Sequence, residues 1–273
     1  MRKYFVFLIV ALFYTVIQAQ DFKAQYVKAY RDKDTSKQKE IIMQWQNSEY
    51  KDADYYLYAF SFFQNGSFDE LSRKLDIEAL GRSFDILDGG IEQYPQRLDL
   101  RAAKIQALYN NAMWDDYTKE IIKAVDYSYI ADNKWIYPNE KADKEFFLNL
   151  VQQYQADLLD ETDAELFSYE DSLQVIRIRK ISEAVLKYYP DNTEALNNLG
   201  VSYYLCLDYP KALEIFLKAE KLNPKDAVIK FNIANLYAKT GDKPRAKQYY
   251  KTLTDNFTGE VAQKAAELIK ELE

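Results

Sequence analysis

Between Thr193 and Thr258 apolar residues recur every three or four positions. Leu196, Leu199, Gly200 and Tyr203 stand at i, i+3, i+4 and i+7, one face of a first helix, and Ala212, Phe216 and Ala219 repeat the spacing for a second. A shift of 34 residues lays the next block over this one. Leu199 then pairs with Ile233, Gly200 with Ala234, Tyr203 with Tyr237, Asp208 with Asp242, Ala212 with Ala246 and Phe216 with Tyr250. The pattern predicts two antiparallel helices per unit, over 193–226 and 227–258. Small residues at 200, 212, 219, 234 and 246 let the helices approach while rings fill the remaining space. Glycine inside a helix costs about 1 kcal/mol against alanine, so Gly200 implies a close contact. Gly241 is placed to end a helix in the left-handed region, and Pro224 to open the next turn. After Gly259 the run EVAQKAAELIKEL reads as an amphipathic closing helix, the cap a stacked array needs.

Upstream the unit recurs in looser form. Tyr94-Pro95 and Tyr189-Pro190 precede helical stretches as Asn223-Pro224 does. Residues 52–70 suggest a helix ending at Gly66, and 98–125 a helix pair turning near Asn110. The loop 131–139, with Trp135 and Tyr137 among turn residues, and the acidic stretch 157–171 absorb the surplus length. Five to six helix pairs are expected. No Pro-, Gly- or Ser-rich linker divides them, and the organisation expected is a divergent region over 20–190 followed by regular repeats and a cap over 191–273.

The first residues carry a different pattern. Arg2 and Lys3 are followed by an uncharged apolar run from Tyr4 to Ile17 and a small residue, Ala19. This is the form of a secretory signal peptide over 1–19, too short for a comfortable membrane span. Cleavage would leave an exported, periplasmic or extracellular chain; an uncleaved leader would keep it at the membrane.

Composition narrows the chemistry. The 273 residues carry 43 acidic and 36 basic side chains, net −7, which excludes nucleic-acid binding through bulk charge. Seven glycines and six prolines are too few for an all-β fold. The absence of histidine excludes Ser-His-Asp and Cys-His triads and His-ligated zinc. The single cysteine, Cys206, excludes an internal disulfide; its apolar setting, VSYYLCL, suggests a buried thiol. Residues 191–273 balance 12 bases with 12 acids, so the negative charge lies upstream. Seven acids without a base occupy 157–171, but Asp160, Thr162 and Ala164 lack the ligand spacing and glycine of a calcium loop. They read as a solvated helix end or loop, with a patch for a basic partner as the functional alternative. Lys239, Lys243, Arg245, Lys247 and Lys251 read as a solvated helix face. No paired nucleophile and base emerges, so no catalytic, cofactor or metal residue is assigned and the chain is not expected to be an enzyme.

The 34-residue period, the small residues at 200 and 234, the tyrosines at 203 and 237, the alanines at 212 and 246, and Pro224 resemble the tetratricopeptide repeat (TPR) family. Leu196 and Lys230 depart from its frequent tryptophan, and Leu207 from its loop glycine. The resemblance implies an all-α fold of antiparallel helix pairs stacked into a right-handed superhelix. It also implies a concave groove lined by the first helix of each repeat, here Asn197, Val201, Tyr204, Phe231, Asn235 and Ala238. The basic residues with which one branch of the family holds C-terminal carboxylates are missing from these positions. The expected function is a non-catalytic scaffold in the cell envelope that binds a protein, peptide or helix in that groove or through its acidic N-terminal half. A glycan or small-ligand site at Trp135 and Tyr137 is the alternative.

Overall fold

Three prolines set helix starts at a constant interval. Pro95, Pro190 and Pro224 each stand two residues after one helix has ended and three before the next begins. Proline has no amide hydrogen to donate and restricts the residue before it, so it separates helices. The computed structural model describes residues 21–66, 68–69, 74–75, 77–138, 141–162 and 168–272. The leader, 1–19, lies outside them, as do Asp163 and Glu165 of the acidic stretch.

The described residues form an all-α, helix-pair repeat architecture. Helix α1 covers 21–31. It is followed by α2 (Thr35–Gln46), α3 (Ala53–Gly66), α4 (Ile77–Gln93), α5 (Leu98–Asn110), α6 (Trp114–Ile130), α7 (Lys144–Asp160) and α8 (Tyr169–Tyr188). The regular repeats supply α9 (Thr193–Leu205), α10 (Tyr209–Leu222), α11 (Ala227–Lys239) and α12 (Lys243–Asn256), with α13 (Glu260–Glu271) after them. A ladder of Phe68–Asp69 with Lys74–Leu75 is the one named pair of strands among the described residues. Two compact units result. One holds α1–α5 and residues 134–142; the other holds α6–α13.

In the second unit α9 packs on α10, α10 on α11, α11 on α12 and α12 on α13. Asp208 and Asp242, 34 residues apart, cap α10 and α12 by accepting the backbone N–H of Lys211 and Arg245. The cations at those same positions lie over ring faces, Lys211 4.5 Å from Tyr203 and Arg245 5.2 Å from Tyr237. The interior is apolar and fully buried at Ala212, Phe216, Ala219, Ile233, Ala234, Ala246, Tyr250 and Leu253. Gly200 meets the expected close contact. A Cβ placed there would lie 2.5 Å from Phe216 Cε1, and the ring, itself buried, has nowhere to retreat.

The turn from α9 to α10 holds the backbone in the left-handed region at Leu207 (φ 62), as the turn from α11 to α12 does at Gly241 (φ 84). A glycine meets this geometry without strain; a leucine does not. Cys206 sits at the C-cap of α9 and is exposed, correcting the buried thiol expected from its apolar neighbours. Helical periodicity stops one residue before it, so the run VSYYLCL does not predict which way it faces. In the acidic stretch, Asp171 is buried and not solvated. Its carboxylate accepts the Ser168 N–H at 2.5 Å, while Ser168 Oγ accepts the Asp171 N–H, forming a capping box that starts α8.

In the first unit the core is aromatic, with Tyr26, Trp45 and Tyr55 buried around Ala29 and Ala59. Gly90 of α4 repeats the device of Gly200: a Cβ there would lie 2.7 Å from Tyr56 of α3. Residues 134–142 dock on the start of α5. The Ile136 N–H donates to Gln96 O (2.9 Å) and the Leu98 N–H to Ile136 O (3.0 Å). This pairing draws Trp135 inside to 7% exposure, with the Arg101 guanidinium 5.9 Å from its ring centre. Trp135, expected to be open for sugar stacking, is therefore core, while Tyr137 in the same loop is half-buried. Beside this strand-like segment Arg97 donates to both Asp99 (2.6 Å) and Asp54 (3.0 Å), and Lys23 donates to Asp54 (2.6 Å). Burial opposes the Asp54 charge, but the hydrogen bonds from Lys23 and Arg97 outweigh it and hold the carboxyl below its ordinary range.

Four substitutions have expected outcomes in denaturant unfolding. Gly200→Ala costs about 1–2 kcal/mol, overpacking exceeding the gain in helix propensity, whereas Gly81→Ala stabilises by about 1 kcal/mol because its Cβ meets nothing within 4 Å. Leu207→Gly stabilises by about 1 kcal/mol, since a side chain 68% exposed gives up little packing. Asp54→Asn lowers stability at pH 7 by about 1–2 kcal/mol. A carboxyl whose folded pKa is depressed contributes stability above its unfolded pKa, about 4, and loses it as pH falls through the folded value, so wild type and variant converge in acid.

Candidate functional site

Helices α9 and α11 are first helices of successive repeats, and they touch directly. The 34-residue period brings equivalent faces side by side. All six residues expected on this face, Asn197, Val201 and Tyr204 on α9 and Phe231, Asn235 and Ala238 on α11, are half-buried. They lie between the interior and solvent, where a face can hold its shape and still present atoms to a partner.

Hydrogen bonds fix the polar members. Asn197 Oδ1 accepts from Asn232 Nδ2 at 2.8 Å, tying α9 to α11 across the repeat boundary. Asn235 Oδ1 accepts from Tyr250 Oη of α12 at 2.6 Å. In each case the acceptor is used and the amide NH2 has no hydrogen-bond partner among the described residues. Both asparagines thus retain donors suited to carbonyl oxygens. Two separate ring pairs hold the aromatic members. Tyr204 packs on Tyr209 at 5.7 Å and Phe231 on Tyr250 at 6.0 Å. Burial raises the Tyr204 hydroxyl pKa, with Tyr209 adding to it, and raises that of Tyr250 to about 12, with Tyr204 and Glu271 adding to it. These phenols stay neutral at physiological pH and act as hydrogen-bonding groups, not as bases.

Behind the face the same helices are braced. Lys230 donates to Glu220 Oε1 (2.6 Å) and the Tyr249 hydroxyl to Glu220 Oε2 (2.9 Å), joining α10, α11 and α12. Burial raises the Tyr249 pKa further than that of its neighbours, the Glu220 carboxylate adding to the effect.

A cavity of about 600 Å³ opens at the C-terminal end of α9. Tyr204 lines it, with Leu205, Cys206, Leu207, Tyr209, Ser172 and Lys239; the other five expected residues do not. The available signal for this pocket is the left-handed turn: Leu207 in place of a glycine puts a large apolar side chain at the rim. Among the described residues no group of three Cys, Asp or Glu side chains is placed to hold a metal ion, and no helix is long and apolar enough to cross a membrane.

The family model described as Tetratricopeptide repeat matches residues 193–226. The chain is also similar to solved structures at low identity. The TPR2AB domain of yeast Sti1 in complex with pHSP90 is 14% identical, with 93% of this chain and 96% of that one covered and a TM-score of 0.37. Pseudomonas aeruginosa pilF is 17% identical over 81% and 86%, TM-score 0.39. The TPR domain of P58(IPK) is 12% identical over 93% and 65%, TM-score 0.32. The matched segment coincides with α9, α10 and the turn after them, where the close contact of Gly200 with Phe216 is found.

Proposed function

We propose that the protein is an exported, non-catalytic scaffold of the cell envelope. Its α9/α11 face holds a peptide or helix of another protein. The observation that carries this reading is the row of half-buried side chains on two adjoining first helices, with the amide donors of Asn197 and Asn235 flanked by the rings of Tyr204 and Phe231. Such a surface offers hydrogen-bond donors for a backbone and apolar area for side chains, the two elements of peptide recognition. Tetratricopeptide repeats commonly serve as protein-interaction modules, which agrees with it. Export rests on the basic head, apolar run and small residue of 1–19.

A photoreactive phenylalanine analogue at Tyr204 or Asn235, irradiated in intact cells, is expected to give one discrete protein adduct. The same residue at Lys221, exposed on α10, gives none. Equal adducts at all three positions, or none at 204 and 235, would exclude the face. Export is read separately, from an envelope fraction whose N-terminal residue is Gln20.

A further inference from the structure

A cavity of about 730 Å³ lies in the other unit. It is formed where the α1–α2 turn meets the end of α3 and the start of α4. Its volume is within the range of pockets that enclose small ligands or a few side chains. In a chain of net charge −7 its lining is unexpected. Arg31, Lys33 and Arg82 contribute three cations, and among the described residues no carboxylate lines it.

Those cations are available. Arg31 and Lys33 have no ion-pair partner among the described residues, and Arg82 reaches only Glu78 of its own helix, at 3.9 Å with both side chains largely exposed. The nearby Asp34 is committed elsewhere, its Oδ1 accepting the Lys37 N–H as the N-cap of α2. Lys33 itself is held in the left-handed region (φ 56), so the turn fixes where its chain departs.

Two further features define what would fit. Phe62 and Phe63, packed edge to face at 5.4 Å, give the cavity an apolar wall. Gln38, nine-tenths buried, donates through Nε2 to Ala29 O at 3.4 Å, and its Oε1 has no hydrogen-bond partner among the described residues. This oxygen, on a side chain held by its other end, offers an acceptor to a ligand's donor. Phosphate groups offer acceptors alone, whereas a peptide brings carboxylates, apolar side chains and backbone N–H groups together.

We propose that this cavity is a second docking site, which takes an acidic peptide segment of a partner protein. Carboxylates pair with Arg31, Lys33 and Arg82, an apolar side chain lies on Phe62 and Phe63, and a backbone N–H meets Gln38 Oε1. The site is independent of the α9/α11 face and uses the opposite charge logic, since that face recognises backbone through asparagine.

The test is fluorescence anisotropy on the full chain with a labelled heptapeptide of alternating glutamate and phenylalanine. Its counterpart with glutamine for glutamate serves as the control. The acidic peptide binds at least tenfold tighter than the control and weakens several-fold between 50 and 500 mM salt, because exposed cations are screened. Arg31→Glu with Arg82→Glu lowers affinity at least tenfold without changing circular dichroism, both positions being exposed. Tyr204→Ala leaves it unchanged, which separates this site from the α9/α11 face. Equal binding of the two peptides, or wild-type affinity in the folded double variant, overturns the proposal. Binding to phosphatidylglycerol vesicles with none to the peptide also overturns it and makes the patch a membrane contact.

Discussion

The regular repeats depend on one steric fact: the Phe216 ring lies where a side chain at position 200 would have to be. That contact lets α9 and α10 approach more closely than two helices with side chains on both surfaces. Close approach then demands alanine at 212 and 219 on the facing side, because any larger residue would push the helices apart. With α9 and α10 set together, Tyr203 comes within reach of Lys211, and the shift of 34 reproduces the arrangement at Tyr237 and Arg245. The repeat is therefore a geometric consequence of small residues at fixed intervals. The candidate face inherits its order from them, since α9 and α11 can touch only if the second helices stay out of the way.

The same device operates in the other unit with a different ring. Gly90 receives Tyr56, whose hydroxyl continues outward to donate to Gln93 at 2.5 Å. An aromatic side chain against glycine thus recurs outside the regular 34-residue spacing. Without an internal disulfide, adjacent helices are held by packing and hydrogen bonds, and rings against bare backbone give a large contact area per residue. Buried tyrosines serve this purpose while hydroxyls find acceptors at the edges, as Tyr117 does with Tyr154 O and Tyr188 with Asp126.

How much of this was legible in the sequence depends on whether a position's role is local. The helices of 193–258, the cap after Gly259 and the pair around Asn110 could be read because propriety of spacing, proline and small residues act within a few turns of chain. The hairpin of α1 and α2 was not read, although Asp34-Thr-Ser-Lys37 carries the same cap as Asp208-Tyr-Pro-Lys211. Its signal is one capping aspartate without a matching stretch of small residues. Cys206 and Trp135 were misread for opposite reasons. Cys206 lies just past the end of periodic structure, where apolar neighbours say nothing about direction. Trp135 stands in a segment rich in turn residues that pairs with residues 96–98, a partnership nearly 40 positions away that no local pattern encodes. At the candidate face, the six positions are those the family resemblance implies, while the ring partners Tyr209 and Tyr250 and the turn pocket depend on tertiary packing.

Net charge describes the first unit poorly, and the reason lies in where its carboxylates are spent. Asp34 caps α2, and Asp52 accepts the Tyr55 N–H in a setting where burial raises its pKa. Asp54 and Asp99 bracket Arg97, and Asp88 pairs with Lys104. Each acid placed in this way neutralises a specific backbone or side-chain donor and projects little field beyond it. A cation left outside the network is then effective locally even though the whole chain is acidic, because screening confines each charge to about 8–10 Å in physiological salt. Arg31 and Lys33 stand outside that network, at the mouth of the cavity bounded by Phe62 and Phe63. A partner arriving at this unit meets a nearly neutral surface, with 16 acids against 15 bases over 21–112 and 134–142, and a basic pocket on contact. The apolar wall of Phe62 and Phe63 beside those cations favours short segments with a few carboxylates set among apolar side chains.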